Sequence, residues 1–191
     1  MRHDACLSER FFTFATVKRF VYILLVAVPL VACLLLGSCG DNPRAVSLLA
    51  HYLLGRTYAD TGEAPQAINA YSEAANRADT TAADCDYRTL SRVHAQTAQL
   101  YYSQLLPDYM IRHERLAMKY AEAAKDTMAY LACYAMLAEG YETKNMNDSA
   151  LLILSDAYSL YKKIGEDQMA SKLCCSMADI CRQQKDYPQA E

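Results

Sequence analysis

Four short words recur through this 191-residue chain: Gly55-Arg56-Thr57-Tyr58, Ala98-Gln99-Leu100-Tyr101, Ala138-Glu139-Gly140-Tyr141 and Ala178-Asp179-Ile180-Cys181. Their first residues stand 43, 40 and 40 positions apart. Self-similarity at a fixed period of tens of residues marks a stack of units, none of which can bury its apolar face alone. The residue types describe the unit. Gly55 and Ala67 are small, as two closely crossing antiparallel helices require. Tyr58 and Tyr71 are large and fill the gap beside that crossing, and Ala74 lets the next pair approach. Thr61-Gly62-Glu63 is the turn, with Gly62 free to take positive φ at a helix C-terminus. Pro65 falls in the first turn of the second helix, where a missing N–H costs nothing, and Pro107 and Pro188 follow the turn in later units. β-Branched residues are sparse after residue 43, and no strand pattern competes. The pattern predicts helices over 44–60, 64–77, 82–104, 108–124, 127–144, 148–163 and 167–184, with a stub at 187–191. Asp126, Asn147 and Asp148 are the expected N-caps.

Segment 48–79, LLAHYLLGRTYADTGEAPQAINAYSEAANRAD, resembles the tetratricopeptide repeat. Leu54-Gly55, Tyr58, Gly62, Ala67, Tyr71 and Ala74 stand at that motif's spacings. Ala150, Leu154 and Ala157 take the second-helix positions in the third unit, Met110, Glu114 and Ala117 in the second. Lys185-Asp186-Tyr187-Pro188-Gln189-Ala190 echoes Gly62–Ala67 in the fourth. The resemblance implies an all-α fold, a right-handed α-solenoid of such helix hairpins, with units at 48–86, 87–126, 127–166 and 167–191. Repeats of this family average about 34 residues. The surplus here is expected to lengthen helices, because 79–86 and 120–126 contain neither glycine nor proline. The fourth unit lacks nearly all of its second helix, so Cys174, Met177 and Cys181 are expected to present an uncovered apolar face. A solenoid normally ends in a polar cap. The expectation is therefore that these residues belong to a longer protein.

Aromatic usage locates a second boundary. All four Phe lie in the first twenty residues, fourteen of the fifteen Tyr follow Gly40, and Trp is absent. Between them runs FVYILLVAVPLVACLLL, residues 20–36, uncharged and preceded by Lys18 and Arg19. Seventeen residues fall short of the roughly 20 that span a bilayer comfortably. A basic start, an apolar middle and small residues at the end describe a secretory signal peptide. Leu36-Gly37-Ser38-Cys39 resembles the lipobox of bacterial lipoproteins. That resemblance implies a signal peptide at 1–38, cleavage before Cys39, diacylglycerol on the Cys39 thiol, further acylation of the new amino terminus and a lipidated linker at 39–47. The chain would then sit, lipid-anchored and extracytoplasmic, at a bacterial cell membrane or outer membrane. Two acyl chains suffice for stable anchoring. Losing the leader takes the net charge from −3 to −5, since four bases and two acids go with it. No basic cluster follows Cys39, so the lipid anchors without electrostatic help, and no basic field suggests nucleic acid. Val17-Lys18-Arg19 reads as a displaced start in which a GTG codon is translated as valine, making residues 1–16 a misassigned extension.

Little in the mature segment suggests chemistry. Cys85, Cys133, Cys174, Cys175 and Cys181 form no C-x-x-C pair. Seven helical residues separate Cys174 from Cys181, about 10.5 Å, too far for a disulfide. They read as small hydrophobes. His51 and His94 stand four before Gly55 and Ala98, where the repeat family often has a large aromatic, so they read as packing residues. No H-x-x-x-H, G-x-S-x-G, H-E-x-x-H or glycine-rich phosphate loop occurs. No metal, no cofactor beyond the lipid, and no enzymatic activity is expected.

In the repeat family the first helices of successive pairs line a concave groove that holds a peptide or another protein. Projecting that arrangement onto this chain selects Tyr52, Arg56 and Asp60, then Arg92, Gln99 and Tyr102, then Glu139 and Glu142, then Lys172, Asp179 and Arg182. Tyr and Arg dominate binding energy at interfaces. The set lacks the lysines that would clamp a C-terminal carboxylate. The expected function is a membrane-anchored extracytoplasmic protein–protein interaction scaffold. The alternative is the extracytoplasmic portion of a longer sensor or transcriptional regulator. A glycan-uptake lipoprotein is a third class, for which no Trp platform is present.

Overall fold

The computed structural model describes residues 43–186. The leader 1–38, Val17, the lipobox with Cys39, and the stub 187–191 lie outside the described residues. Seven helices make up the described part: α1 (Pro43–Asp60), α2 (Ala64–Arg77), α3 (Tyr87–Ser103), α4 (Pro107–Ala123), α5 (Thr127–Thr143), α6 (Asn147–Ile164) and α7 (Asp167–Asp186). Each packs on the next in sequence, and α1 also meets α3 as α3 meets α5. Consecutive hairpins therefore stack, giving an all-α solenoid with no strand among the described residues. None of the described helices is long and apolar enough to cross a membrane.

The close crossing inferred at Gly55 is present. A Cβ added there would lie 2.4 Å from the Tyr71 ring, which is itself fully buried. Gly140 is likewise pressed by Ile111, whose Cγ1 would stand 2.8 Å from an added Cβ. Ala67, Ala74, Ala117, Ala150 and Ala157 are all inaccessible to solvent, so the small residues of the repeat line the crossings. Leu154, Ala157 and Tyr161 of α6 carry the last helix, burying Ala170, Leu173 and Ile180 of α7. On its other side α7 leaves Cys174 and Cys181 exposed, whereas Met177, expected on that uncovered face, is half-buried against the same core as Leu173 and Ile180.

All five tight connections end the preceding helix in the same way. At Gly62, Leu105, Lys125, Asn145 and Gly165 the backbone turns left-handed, with φ between 55° and 82°. The next N–H reaches back five residues: Glu63 to the Tyr58 carbonyl at 2.8 Å, Leu106 to Tyr101 at 3.0 Å, Asp126 to Ala121 at 2.9 Å, Met146 to Tyr141 at 2.9 Å, Glu166 to Tyr161 at 3.0 Å. The left-handed residue's own N–H bonds three back, as from Gly62 to Ala59 at 3.0 Å. These are the two bonds of the Schellman motif.

The long connection differs from expectation. A helix was expected from residue 82, but α3 starts at Tyr87. Side chains intercept the backbone first. The Asp79 carboxylate accepts from the Thr81 N–H at 3.1 Å and the Thr81 hydroxyl at 2.6 Å. The Tyr87 hydroxyl donates to the Thr80 carbonyl at 2.9 Å. Asp86 then caps α3, accepting from the Thr89 N–H at 3.0 Å. The surplus of the first unit is thus a loop, whereas later helices do run to 17 residues or more. Asp126 caps α5 through the Ala129 N–H at 3.1 Å. Asn147 and Asp148 are not caps: α6 begins at Asn147 behind Met146, which makes no side-chain capping bond.

Between α3 and α4 six rings form a continuous row. Tyr87 stacks on Tyr120 (6.2 Å between centroids), Tyr120 on His94 (5.5 Å), His94 meets His113 (5.3 Å), His113 meets Tyr101 (5.4 Å) and Tyr101 stacks on Tyr109 (5.1 Å). The two imidazoles share a hydrogen bond between their Nδ1 atoms, 3.1 Å apart. Burial, then the neighbouring His113, lowers the His94 pKa to about 4. His94 is therefore a packing residue, as its repeat position implies.

Gly55→Ala is expected to destabilise the first unit although alanine is the better helix former. The Tyr71 ring cannot move away without opening the core, and such overpacking costs about 1–3 kcal/mol. Thermal unfolding of the two proteins checks this; a variant equal to or more stable than the parent would contradict the crossing.

Candidate interaction groove

α5 and α7 present two stripes at helical spacing. On α5 these are Ala135, Ala138, Glu139 and Glu142; on α7 they are Ser176, Asp179, Arg182 and Gln183. With Leu154 of α6 they enclose a cavity of about 310 Å³. The stripes face each other because α6 separates α5 from α7 in sequence while the hairpin fold returns α7 beside the third unit. One polar contact spans the cleft: the Gln183 amide donates to the Glu142 carboxylate at 3.4 Å. Arg182 pairs with Asp179 one turn away, at 3.5 Å. Both members of that pair are well exposed, so solvent screens it.

Four of the residues selected from the repeat pattern therefore converge: Glu139, Glu142, Asp179 and Arg182. The others do not line this cavity. Arg56 and Asp60 are exposed on α1, Arg92 and Gln99 on α3, Tyr102 near the end of α3, and Lys172 on α7. Tyr52 requires a correction. It is not on an open face but only 9% exposed, its ring tilted against Tyr71 at 6.1 Å between centroids. Tyr52 stands three residues before Gly55, so it shares the crossing face with that glycine. Ala135, Ser176 and Gln183 were not selected. They could have been found by continuing each stripe one more turn from Glu139 and Asp179.

On α4, next to α5, lies a carboxylate that the repeat pattern placed at a second-helix position. Glu114 on α4 is 2% exposed, and no described residue offers a hydrogen bond to its Oε2. Burial raises its pKa to about 7; a hydrogen bond with the Cys133 thiol opposes the rise, and the charge of Glu139 adds to it. Cys133 is itself pushed up by burial and then by Glu114, which keeps the thiol protonated. Glu139 is also raised, by partial burial and then by Glu142. Negative charge is thus concentrated on and behind the α5 wall. Among the described residues no group of three or more His, Cys, Asp or Glu side chains is placed to hold a metal ion.

No family model matches the chain, and no curated protein matches it. Solved structures do. The Rap conjugation gene regulator of plasmid pLS20, in complex with the Phr* peptide, aligns with a TM-score of 0.59 at 13% identity over 73% of this chain. This chain spans only 38% of that regulator's length. The N-terminal domain of stress-induced protein-1 from C. elegans aligns with a TM-score of 0.57 at 12% identity, covering 70% of this chain and 98% of that one. The TPR-like repeats of a Podosopora anserina kinesin light chain align with a TM-score of 0.56 at 13% identity, covering 97% and 94%. At such identities the likeness concerns the fold, and the fold is that of tetratricopeptide-like repeats.

Glu114 makes stability pH-dependent. A carboxyl whose pKa is raised on folding favours the fold while protonated, and that contribution is lost as pH rises through the folded value. The unfolded value lies near 4.5 and the folded one about 7. Glu114→Gln is therefore expected to exceed the parent in stability by about 2–3 kcal/mol at pH 8.5, and to match it near pH 4. Urea unfolding at the two pH values measures the difference; a gap independent of pH would show that Glu114 is not a strained carboxyl.

Proposed function

We propose that this chain is a non-catalytic interaction scaffold that binds a protein or peptide through the face shared by α5 and α7. The observation that carries the reading is the convergence of Glu139, Glu142, Asp179 and Arg182 on one cavity. Charged side chains cluster there over a floor of alanine and leucine, the kind of surface that orders a partner's side chains without chemistry. The peptide complex of the pLS20 regulator is a property of that protein, yet it illustrates a protein of this fold in complex with a peptide. We also propose the lipid-anchored, extracytoplasmic location, which rests on Leu36-Gly37-Ser38-Cys39 and the apolar segment before it.

A photo-crosslinking amino acid placed at Gln183 in the full chain, in cells, is expected to yield a discrete adduct. The same group at Glu73, exposed on α2, is expected to yield none. Equal adducts at the two sites would remove support for the groove. Mass spectrometry of the mature amino terminus checks the anchor: a diacylglyceryl Cys39 at residue one is expected, and an unmodified Cys39 still joined to Ser38 would overturn it.

A second reading is favoured by one observation: this chain spans 38% of the regulator it resembles in fold. On that second reading the chain would be the extracytoplasmic part of a longer sensor or regulator. Coding sequence beyond codon 191 that contains an apolar stretch of about 20 residues would distinguish it.

A further inference from the structure

We propose that the cavity between α5 and α7 receives a lysine or arginine side chain of an extended peptide. This rests on the groove reading above and names what the groove selects. Three features point to a cation with a long apolar stem. The first is the floor: Ala135 is half-buried there, Ala138 and Leu154 close it from beneath at 2% exposure each, and none of the three carries a polar side-chain atom. The second is the balance of charge on the walls. Glu139, Glu142 and Asp179 face one cation, Arg182, and Asp179 already engages it at 3.5 Å. Among the described residues no lysine or arginine pairs with Glu139 or Glu142, and Glu142 receives only the neutral Gln183 amide. The third is Glu114, on the adjoining helix. Its Oε2 has no hydrogen-bond partner among the described residues, it is almost wholly buried, and it feels the charge of Glu139. A folded protein that leaves three carboxylates mutually opposed on adjacent helices gains when an external cation enters among them.

The dimensions agree. About 310 Å³ is at the small end for a ligand pocket, enough for one long side chain rather than a folded domain. Lysine and arginine lay their methylene stems on apolar surface while the head group reaches charge or water. Here the stem lies along the half-buried Ala135, and the head group meets Glu139 and Glu142. A guanidinium would additionally offer the fork that carboxylates accept in pairs. An acidic side chain at the same point would be repelled by both glutamates. A leucine would fill the floor but leave the carboxylates unpaired.

The test uses the full chain in detergent micelles and fluorescein-labelled heptapeptide pools, random except for a central Lys, Arg, Leu, Gln or Glu. Fluorescence anisotropy reads binding. The Lys and Arg pools are expected to bind at least tenfold more tightly than the Glu pool. That preference is expected to fall below twofold in the Glu139→Gln/Glu142→Gln variant and to persist in Glu73→Gln, a substitution on α2 away from the cavity. Neither groove glutamate is a core residue, and far-UV circular dichroism of the double variant verifies that its helices are retained. Pools that bind without preference, that prefer Leu, Gln or Glu, or whose cationic preference survives in the double variant would overturn the cation assignment while leaving the groove reading in place. Failure of every pool to bind would overturn the assignment and the peptide-groove reading together.

Discussion

The left-handed residue that closes each tight connection governs the rest of this structure. Two backbone bonds per turn, one reaching three residues back and one reaching five, stop a helix and return the chain antiparallel within two residues of its end. With so short a connection, the crossing point is dictated by the turn. Gly55 must then meet Tyr71, and Gly140 must meet Ile111, at distances no Cβ tolerates. Three of the five positions are not glycine. Leu105, Lys125 and Asn145 adopt the conformation at φ near 56°, a state that costs an ordinary L-residue about 1–2 kcal/mol. The hairpin packing therefore outweighs local preference. At Leu105 it also outweighs solvent exposure, since that side chain lies mostly in water.

This explains which parts of the fold were legible in the residues and which were not. Helices and crossings recur because small and large residues are demanded at each crossing, so their spacing survives through the first three units. Turns carry a readable signal where glycine or asparagine supplies the left-handed residue, as at Gly62, Asn145 and Gly165. At Leu105 and Lys125 no residue type announces it. The segment 79–86 misled for the opposite reason. It contains no helix breaker, yet Asp79 and Asp86 have side-chain oxygens that take backbone donors which a helix would need. Aspartate and threonine compete with the helix through such local bonds. The competition is decided by geometry, which composition does not display.

The groove was partly legible for a related physical reason. Helical spacing alone puts Glu139 and Glu142 on one stripe and Asp179 and Arg182 on another. Which stripes face each other depends on how successive hairpins stack, and the third and fourth units close on a cavity at these positions. Tyr52 shows the limit of projection by offset. A residue three before the crossing glycine points inward with it, and a tyrosine there completes the core by meeting Tyr71. Glu114 had a signal, the polar residue at a second-helix position otherwise held by Tyr71 and Leu154. Its meaning needed the neighbouring Glu139 in space.

The second unit joins two ionisable elements that pull in opposite directions. His94 and His113 share one Nδ1–Nδ1 hydrogen bond, which requires one nitrogen to remain unprotonated. Both imidazoles are lowered by burial, and by a neighbouring positive charge as the second cause. A histidine with a depressed folded pKa favours the fold above its unfolded value near 6.5, and loses that contribution as pH falls toward the folded one. Arg112, from its own helix, and the phenols of Tyr101 and Tyr120 surround the pair; they offer it no carboxylate that would offset protonation. Glu114 behaves conversely and weakens the fold as pH rises through about 7. The two elements lie on the same helix, α4, one residue apart. His113 turns toward α3 and Glu114 toward Cys133 of α5. One helix thus couples the ring row, which needs neutral imidazole, to the acidic wall of the groove, which is strained by a second carboxylate charge. Glu114 thus stands where the ring row's helix meets the charge of the α5 wall.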